Sequence, residues 1–190
     1  MRRFFLIALL VLLGSSTITA KDWRGILPMH STREDVIALL GPPPAQEQPS
    51  NKSQASSLRY SLDEGQVYIA FADEDFRKEK NCNAIRAGTV LMIQVTPTDL
   101  LLSSLNFDDK KFRKFDPSTP PDIGFEGFID NDEGLVIRAY KGKVDAMIYF
   151  ASTTDRARCP EYQENPESMV QIMRSQSKSS GSTNKSQLCT

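Results

Sequence analysis

The sequence predicts an α+β fold in which short helices pack on one face of an antiparallel sheet. Three observations lead to this class: a capped helix near the N-terminus, several short segments of alternating apolar and polar residues, and Gly-containing turns between those segments. The chain has 190 residues. We expect residues 21–163 to form one domain, with possible halves at 21–97 and 98–163.

Residues 1–20 have the pattern of a cleavable signal peptide. Arg2 and Arg3 are followed by the apolar run Phe4–Leu13, and Ala20 supplies the small residue required at the cleavage site. The alternative is a membrane anchor, but this run is too short to cross about 30 Å of hydrocarbon. We therefore expect an exported protein, periplasmic or extracellular, with no transmembrane segment after cleavage.

The first half contains one helix followed by three strand-like segments. Ser31–Glu34 fits a capping box, and Gly41 with the prolines after it ends the helix. Residues 45–57 are rich in Gln, Ser and Pro, which is typical of a mobile loop. Alternation then predicts strands at 58–62, 67–72 and 88–96, with a charged loop at 73–83 between the last two.

The second half repeats this order. Thr98–Phe115 is predicted as a helix, and three strands follow at 124–129, 135–140 and 144–151. Asp-Glu-Gly precedes the second strand of each half, at Asp63–Gly65 and Asp132–Gly134. The chain therefore has either two αβββ units in one sheet or a chance match. The Ser-rich tail at 164–190 is expected to be disordered because it has too little apolar surface to offset the cost of ordering.

Three cysteines allow one disulfide in an oxidising compartment. Cys82 lies in a polar loop and Cys159 just after the last predicted strand, so we expect these two to pair. Cys189, near the end of the tail, would be the odd residue. The alternative is three unpaired thiols. No Cys/His spacing predicts a metal site, and we expect no cofactor.

The N-terminal helix resembles a known motif. Thr32, Asp35, Val36, Gly41 and Pro43 match the first helix of the SmpA/OmlA-like outer-membrane assembly proteins. The resemblance covers about 20 residues and implies a β-lactamase-inhibitor-like fold, with short helices on an antiparallel sheet. Those proteins are lipoproteins, whereas this chain has no lipidation cysteine. The chain also resembles a family of exported bacterial proteins with a W-x-G-I-x-P opening, from which no activity follows.

Charge and motifs exclude several functions. The formal net charge is −1, and a weakly acidic chain is a poor partner for nucleic acid phosphates. Asp130–Gly134 suggests either a calcium loop, though incomplete, or a simple strand-connecting turn. His30, the single histidine, has a side chain suited to general base catalysis, but it directly precedes a helix cap. A role in loop packing is the simpler interpretation.

No catalytic set is evident, so binding is the leading hypothesis. Helices on one face leave the other face open, and we predict that Tyr68, Met147 and Tyr149 form a recognition surface there. The protein would be a non-enzymatic binding or assembly module of the cell envelope, with an envelope protein as its partner. The alternatives are a secreted hydrolase using carboxylates such as Asp130 and Asp132, and a secreted protein inhibitor.

Overall fold

A seven-strand antiparallel sheet with two short helices forms the domain, as the predicted α+β class requires. The computed structural model describes residues 21–44, 57–106, 108, 110–115 and 124–162. The predicted signal peptide, the loop at 45–56 and the predicted tail with Cys189 lie outside the described residues. Within them, no helix has the length and apolar character needed to cross a membrane.

Two three-strand meanders meet through their third strands at the centre of the sheet. The spatial order is β1-β2-β3-β7-β6-β5-β4, and every neighbouring pair is antiparallel. The predicted strands are confirmed, and the short edge strand β4 is an addition. The strands are β1 (Ser57–Leu62), β2 (Gly65–Phe71), β3 (Val90–Pro97), β4 (Arg113–Phe115), β5 (Phe125–Asp130), β6 (Leu135–Tyr140) and β7 (Lys143–Tyr149).

The main core lies on one face of the sheet and crosses the central seam. In register, Val67 faces Val95, and Val95 faces Met147, so alternate residues of both meanders point to the same side. The opposite face carries a second buried cluster in the C-terminal meander. Its members are Phe115, Ile129, Val136, Ile148 and Phe150. We expected one face of the sheet to be open, but in the C-terminal meander both faces carry buried apolar residues.

Helix α1 (Arg33–Leu40) packs on the main core through Val36, its one buried residue. Its cap is Thr32, one residue later than predicted. Thr32 Oγ1 accepts a hydrogen bond from the Asp35 amide, and the Asp35 carboxylate accepts one from the Thr32 amide. The Ser31 hydroxyl instead accepts the Leu27 amide at 2.9 Å, in the turn before the helix.

Helix α2 (Glu74–Glu79) replaces part of the loop predicted at 73–83. The Asp73 side chain accepts the Phe76 amide at 2.7 Å and so caps its first turn. Acidic residues in the first turn and basic residues in the last turn complement the helix dipole. The charge pattern that suggested a solvated loop is therefore that of a short capped helix.

The helix predicted at 98–115 does not form. The described residues contain instead a 3-10 helix at Leu102–Ser104 and strand β4. Backbone bonds to the start of β7 explain this outcome: Val144 N donates to Leu100 O at 2.7 Å, and Leu102 N donates to Gly142 O at 2.9 Å. The leucines still pack on the main core, which accounts for the apolar pattern. The second half is therefore not an αβββ unit.

The predicted disulfide joins Cys82 to Cys159, whose Cα atoms are 4.4 Å apart. Both cysteines are fully buried in a separate apolar cluster with Met29, Leu91 and Tyr162. This cluster ties the segment after α2 to the segment after β7, at one end of the sheet.

The two Asp-Glu-Gly turns occupy equivalent places in the two meanders. A Cβ on Gly65 would overlap the carbonyl oxygen of Thr96, at the end of β3. A Cβ on Gly134 would likewise overlap the carbonyl oxygen of Phe150, just past the end of β7. In each half, the close approach of the third strand therefore requires a glycine where the second strand begins.

We predict that Gly134→Ala will be strongly destabilising. Gly142 is the matched control because its φ of +77° resembles the +70° of Gly134, yet a Cβ there meets nothing within 4 Å. Gly142→Ala should cost about 1–2 kcal/mol for the left-handed backbone alone. Gly134→Ala should cost about 1–3 kcal/mol more, because the Phe150 carbonyl must also move. Urea unfolding measures both, and equal losses would contradict the close approach.

We also predict that removal of the disulfide lowers the free energy of unfolding by at most about 4 kcal/mol, as expected for closing a loop between residues 77 positions apart. The double variant Cys82→Ser plus Cys159→Ser, compared with Cys189→Ser, tests this by thermal unfolding. An equal effect of the Cys189 change would argue against this pairing.

Candidate functional site

A short N-terminal segment, residues 21–26, crosses the main-core side of the sheet; we name it the strap. Lys21 N donates to the Glu133 carbonyl at 2.8 Å, and its ammonium pairs with the Glu133 carboxylate. Arg24 pairs with Glu64. Since Glu64 and Glu133 are the glutamates of the two Asp-Glu-Gly turns, the strap links the two meanders at equivalent points.

A tight turn inside the strap directs Trp23 onto the core. Trp23 and Ile26 exchange backbone hydrogen bonds of 3.0 and 2.9 Å, and the Asp22 carboxylate accepts the Gly25 amide at 2.9 Å. Both central residues, Arg24 and Gly25, have positive φ, as in the tightest hairpin turns. The indole of Trp23 is consequently buried in the main core.

The strap forms one wall of a cleft of about 430 Å³, which we name the strap cleft. Its volume is within the range of small-ligand sites. The cleft lies where β3 and β7 separate, after the residue pair Val95 and Met147. The Thr98 amide donates a hydrogen bond to the Glu64 carbonyl oxygen, which holds the chain that leaves β3 in place. The lining residues are Trp23, Asp63, Glu64, Val95, Pro97, Thr98, Asp99, Leu100, Met147 and Tyr149.

Tyr149 is the buried polar group of the cleft. Its side chain is 8% exposed, and no described residue makes a hydrogen bond to its hydroxyl. Burial raises the pKa of Tyr149, and the negative charge of Asp22 raises it further. With no hydrogen bond to a described residue, this hydroxyl can donate a hydrogen bond to a ligand in the cleft or accept one from it.

Three carboxylates form the rim of the cleft. Glu64 pairs with Arg24 of the strap, and Asp99 accepts a hydrogen bond from Lys143 at 2.8 Å. That hydrogen bond, and then the charge of Lys143, lower the pKa of Asp99. A general acid needs the opposite shift, so Asp99 is suited to holding a positive charge rather than to donating a proton.

The predicted recognition residues do not share one face. Met147 and Tyr149 pair with Val95 and Ile93, which places them on the main-core side, where they line the strap cleft. Tyr68 pairs with Gln94 on the opposite side and lies beneath the guanidinium of Arg59. Alternation shows which residues of one strand share a face, but it does not show which face of the next strand they match.

His30 belongs to a polar cluster outside the cleft. Its Nε2 lies 2.7 Å from Asp155 Oδ1, and Arg158 Nη1 lies 2.9 Å from its Nδ1. Ser152 donates to Asp155 at 2.6 Å rather than to the histidine, so the serine and histidine are not a nucleophile–base pair. Cys82 is in the disulfide and is therefore not a free nucleophile for His30 either. The cluster connects the loop before α1 to the 3-10 helix Asp155–Arg158.

The Asp130–Gly134 segment is a turn in which two carboxylates accept hydrogen bonds from nearby residues. Asp130 is buried and accepts the amides of Asp132 and Glu133 at 2.9 and 3.0 Å. Asp132 accepts the Thr153 hydroxyl. Among the described residues, no group of three or more His, Cys, Asp or Glu is placed to hold a metal ion. The geometry is that of the strand-connecting turn.

The sequence indicated part of this cleft and missed the rest. Met147 and Tyr149 were singled out, whereas Asp63 and Glu64 were interpreted only as a turn and Asp99 as part of a helix. These acids meet the two residues of β7 because the meanders join through their third strands. No local sequence signal carries that information.

The raised pKa of Tyr149 gives a testable titration. Its phenol should ionise above the ordinary value of 10.0, and Asp22→Asn should shift its midpoint downwards by removing a nearby negative charge. In the unfolded chain the phenol ionises near pH 10, so the folded state should lose stability as the pH rises above that value. Tyr149→Phe should lessen this loss. NMR of labelled tyrosines measures the midpoint, and an unchanged midpoint in Asp22→Asn would contradict the assigned cause.

Comparison of the chain with protein-family models, with curated proteins and with solved structures finds no match.

Proposed function

We propose that this protein is an exported, non-enzymatic binding or assembly module of the cell envelope, and that the strap cleft receives part of an envelope partner protein. The observation that carries the proposal is the cleft itself: an apolar floor that includes Tyr149, a largely buried residue whose hydroxyl makes no hydrogen bond to a described residue. Apolar walls with a few placed polar groups are typical of binding sites.

Three features of the sequence support the envelope as the location. The signal-peptide pattern at 1–20 leads to export, and a disulfide is stable in an oxidising compartment. The helix motif with Thr32, Asp35 and Gly41 resembles that of outer-membrane assembly proteins. The periplasm or the cell exterior is therefore the proposed compartment.

Binding is favoured over hydrolysis because the carboxylates named for catalysis are otherwise engaged. Asp130 holds the turn after β5, and Asp132 bonds Thr153. In the cleft, the hydrogen bond from Lys143 lowers the pKa of Asp99, contrary to the need of a general acid. The inhibitor hypothesis depends on analogy of fold alone.

We predict that the partner contacts position 98 and not position 96. Thr98 lines the cleft, whereas Thr96, two residues earlier and also exposed, faces the other side of the sheet opposite Gln66. The photoreactive residue p-benzoylphenylalanine would replace each threonine in turn in living cells. Mass spectrometry should identify the same envelope protein in repeated adducts from position 98.

Either of two cross-linking results would contradict the proposal. Adducts of equal yield from both positions, or none from position 98 in a chain that is exported and folded, would show that the cleft is not the binding surface. Thr98→Phe, which fills the cleft, should abolish the association with the identified partner, and Thr96→Phe should leave it intact.

A further inference from the structure

We propose that the strap cleft binds a lysine or arginine side chain carried on an apolar segment of the partner. This inference rests on the proposed function and adds the chemistry of the ligand. It combines the charge of the cleft rim with the character of its floor.

All ionisable side chains at the rim are acidic. Asp63, Glu64 and Asp99 line the cleft, and no lysine, arginine or histidine is among the described residues that line it. Arg24 and Lys143 pair with two of these acids from outside the lining. Asp63 has no ion pair with a described residue. An entering cation therefore meets uncompensated negative charge, whereas an anion is repelled.

The floor suits an organic cation with an apolar stem. Trp23 and Tyr149 line the cleft, and aromatic rings attract ammonium and guanidinium groups, as the Arg24 guanidinium 5.6 Å from the centroid of the Trp23 ring illustrates. Met147 adds a polarisable thioether. The methylene groups of lysine or arginine can lie against Val95 and Leu100 while the charged end reaches the rim.

The Tyr149 hydroxyl is a second and independent indication. Tyr149 lines the cleft and is only 8% exposed as a residue, and its hydroxyl makes no hydrogen bond to any described residue. The phenol oxygen can accept a hydrogen bond from an ammonium or guanidinium N–H. The negative charge of Asp22 acts on the same hydroxyl and favours a cationic donor there.

A metal ion is a poor occupant by comparison. In the described part of the chain, no three acidic, histidine or cysteine residues converge as metal ligands. A Ca²⁺ or Mg²⁺ ion would also gain nothing from the aromatic and aliphatic floor, since it requires six or more oxygen ligands. An organic cation uses both the rim and the floor.

Three matched peptides test the ligand class: acetyl-Leu-Lys-Leu-amide, acetyl-Leu-Gln-Leu-amide and acetyl-Leu-Glu-Leu-amide. Trp23, the single tryptophan of the chain, reports binding at the cleft by its fluorescence, and none of the peptides is aromatic. We expect the lysine peptide to bind about fivefold more tightly than the glutamine peptide, since each exposed charge pair contributes little. The glutamate peptide should bind most weakly.

Matched variants locate the effect. Asp63→Asn should weaken binding of the lysine peptide about twofold and leave the glutamine peptide unchanged. Asp75→Asn, which removes the same charge from exposed α2 away from the cleft, should change neither. Tyr149→Phe should weaken the lysine peptide selectively, and added salt should reduce the preference for it.

The outcomes separate the two proposals. If the glutamine peptide binds as tightly as the lysine peptide, the cation inference is wrong while binding in the cleft stands. If n-butylammonium binds as tightly as the lysine peptide, the apolar segment has no part in recognition and this inference is again wrong. If no peptide alters Trp23 fluorescence and position 98 gives no adducts, the proposed function is wrong as well.

Discussion

The close approach of backbone to backbone at two glycines is the constraint on which the sheet depends. The end of β3 lies against Gly65, and the chain leaving β7 lies against Gly134, so neither position has space for a side chain. Each contact places a third strand beside its meander, and the two third strands then meet at the centre. The main core crosses that seam and takes residues from both meanders.

The seam is short, and other interactions reinforce it. Only three residue pairs join β3 to β7. The strap bridges the two Asp-Glu-Gly turns through Glu64 and Glu133, while the disulfide and the His30–Asp155 cluster connect the N-terminal half to the segment after β7. The cleft occupies the place where the pairing of β3 with β7 stops, so the end of the seam is the part of the sheet that has space for a ligand.

Local patterns predicted the strands, the turns and the disulfide, because these depend on alternation, glycines and the number of cysteines. The helix at 98–115 was wrong because its leucines satisfy their backbone bonds with β7 instead of with one another. Tyr68 was placed with Tyr149 because alternation carries no information on how neighbouring strands are matched. Asp63 and Asp99 were missed as site residues for the same reason: their proximity depends on strand order.

The meeting of equivalent third strands has a consequence for the ancestry of the chain. Two meanders that pair antiparallel through the same strand have the geometry of a two-fold symmetric dimer. A gene for one meander, encoding a self-associating protein, would produce this sheet after duplication and fusion. The two halves of the present chain differ in what accompanies each meander, since the first has a capped helix and the second has an edge strand. The asymmetric cleft at the seam is a feature that a symmetric ancestor would not have had.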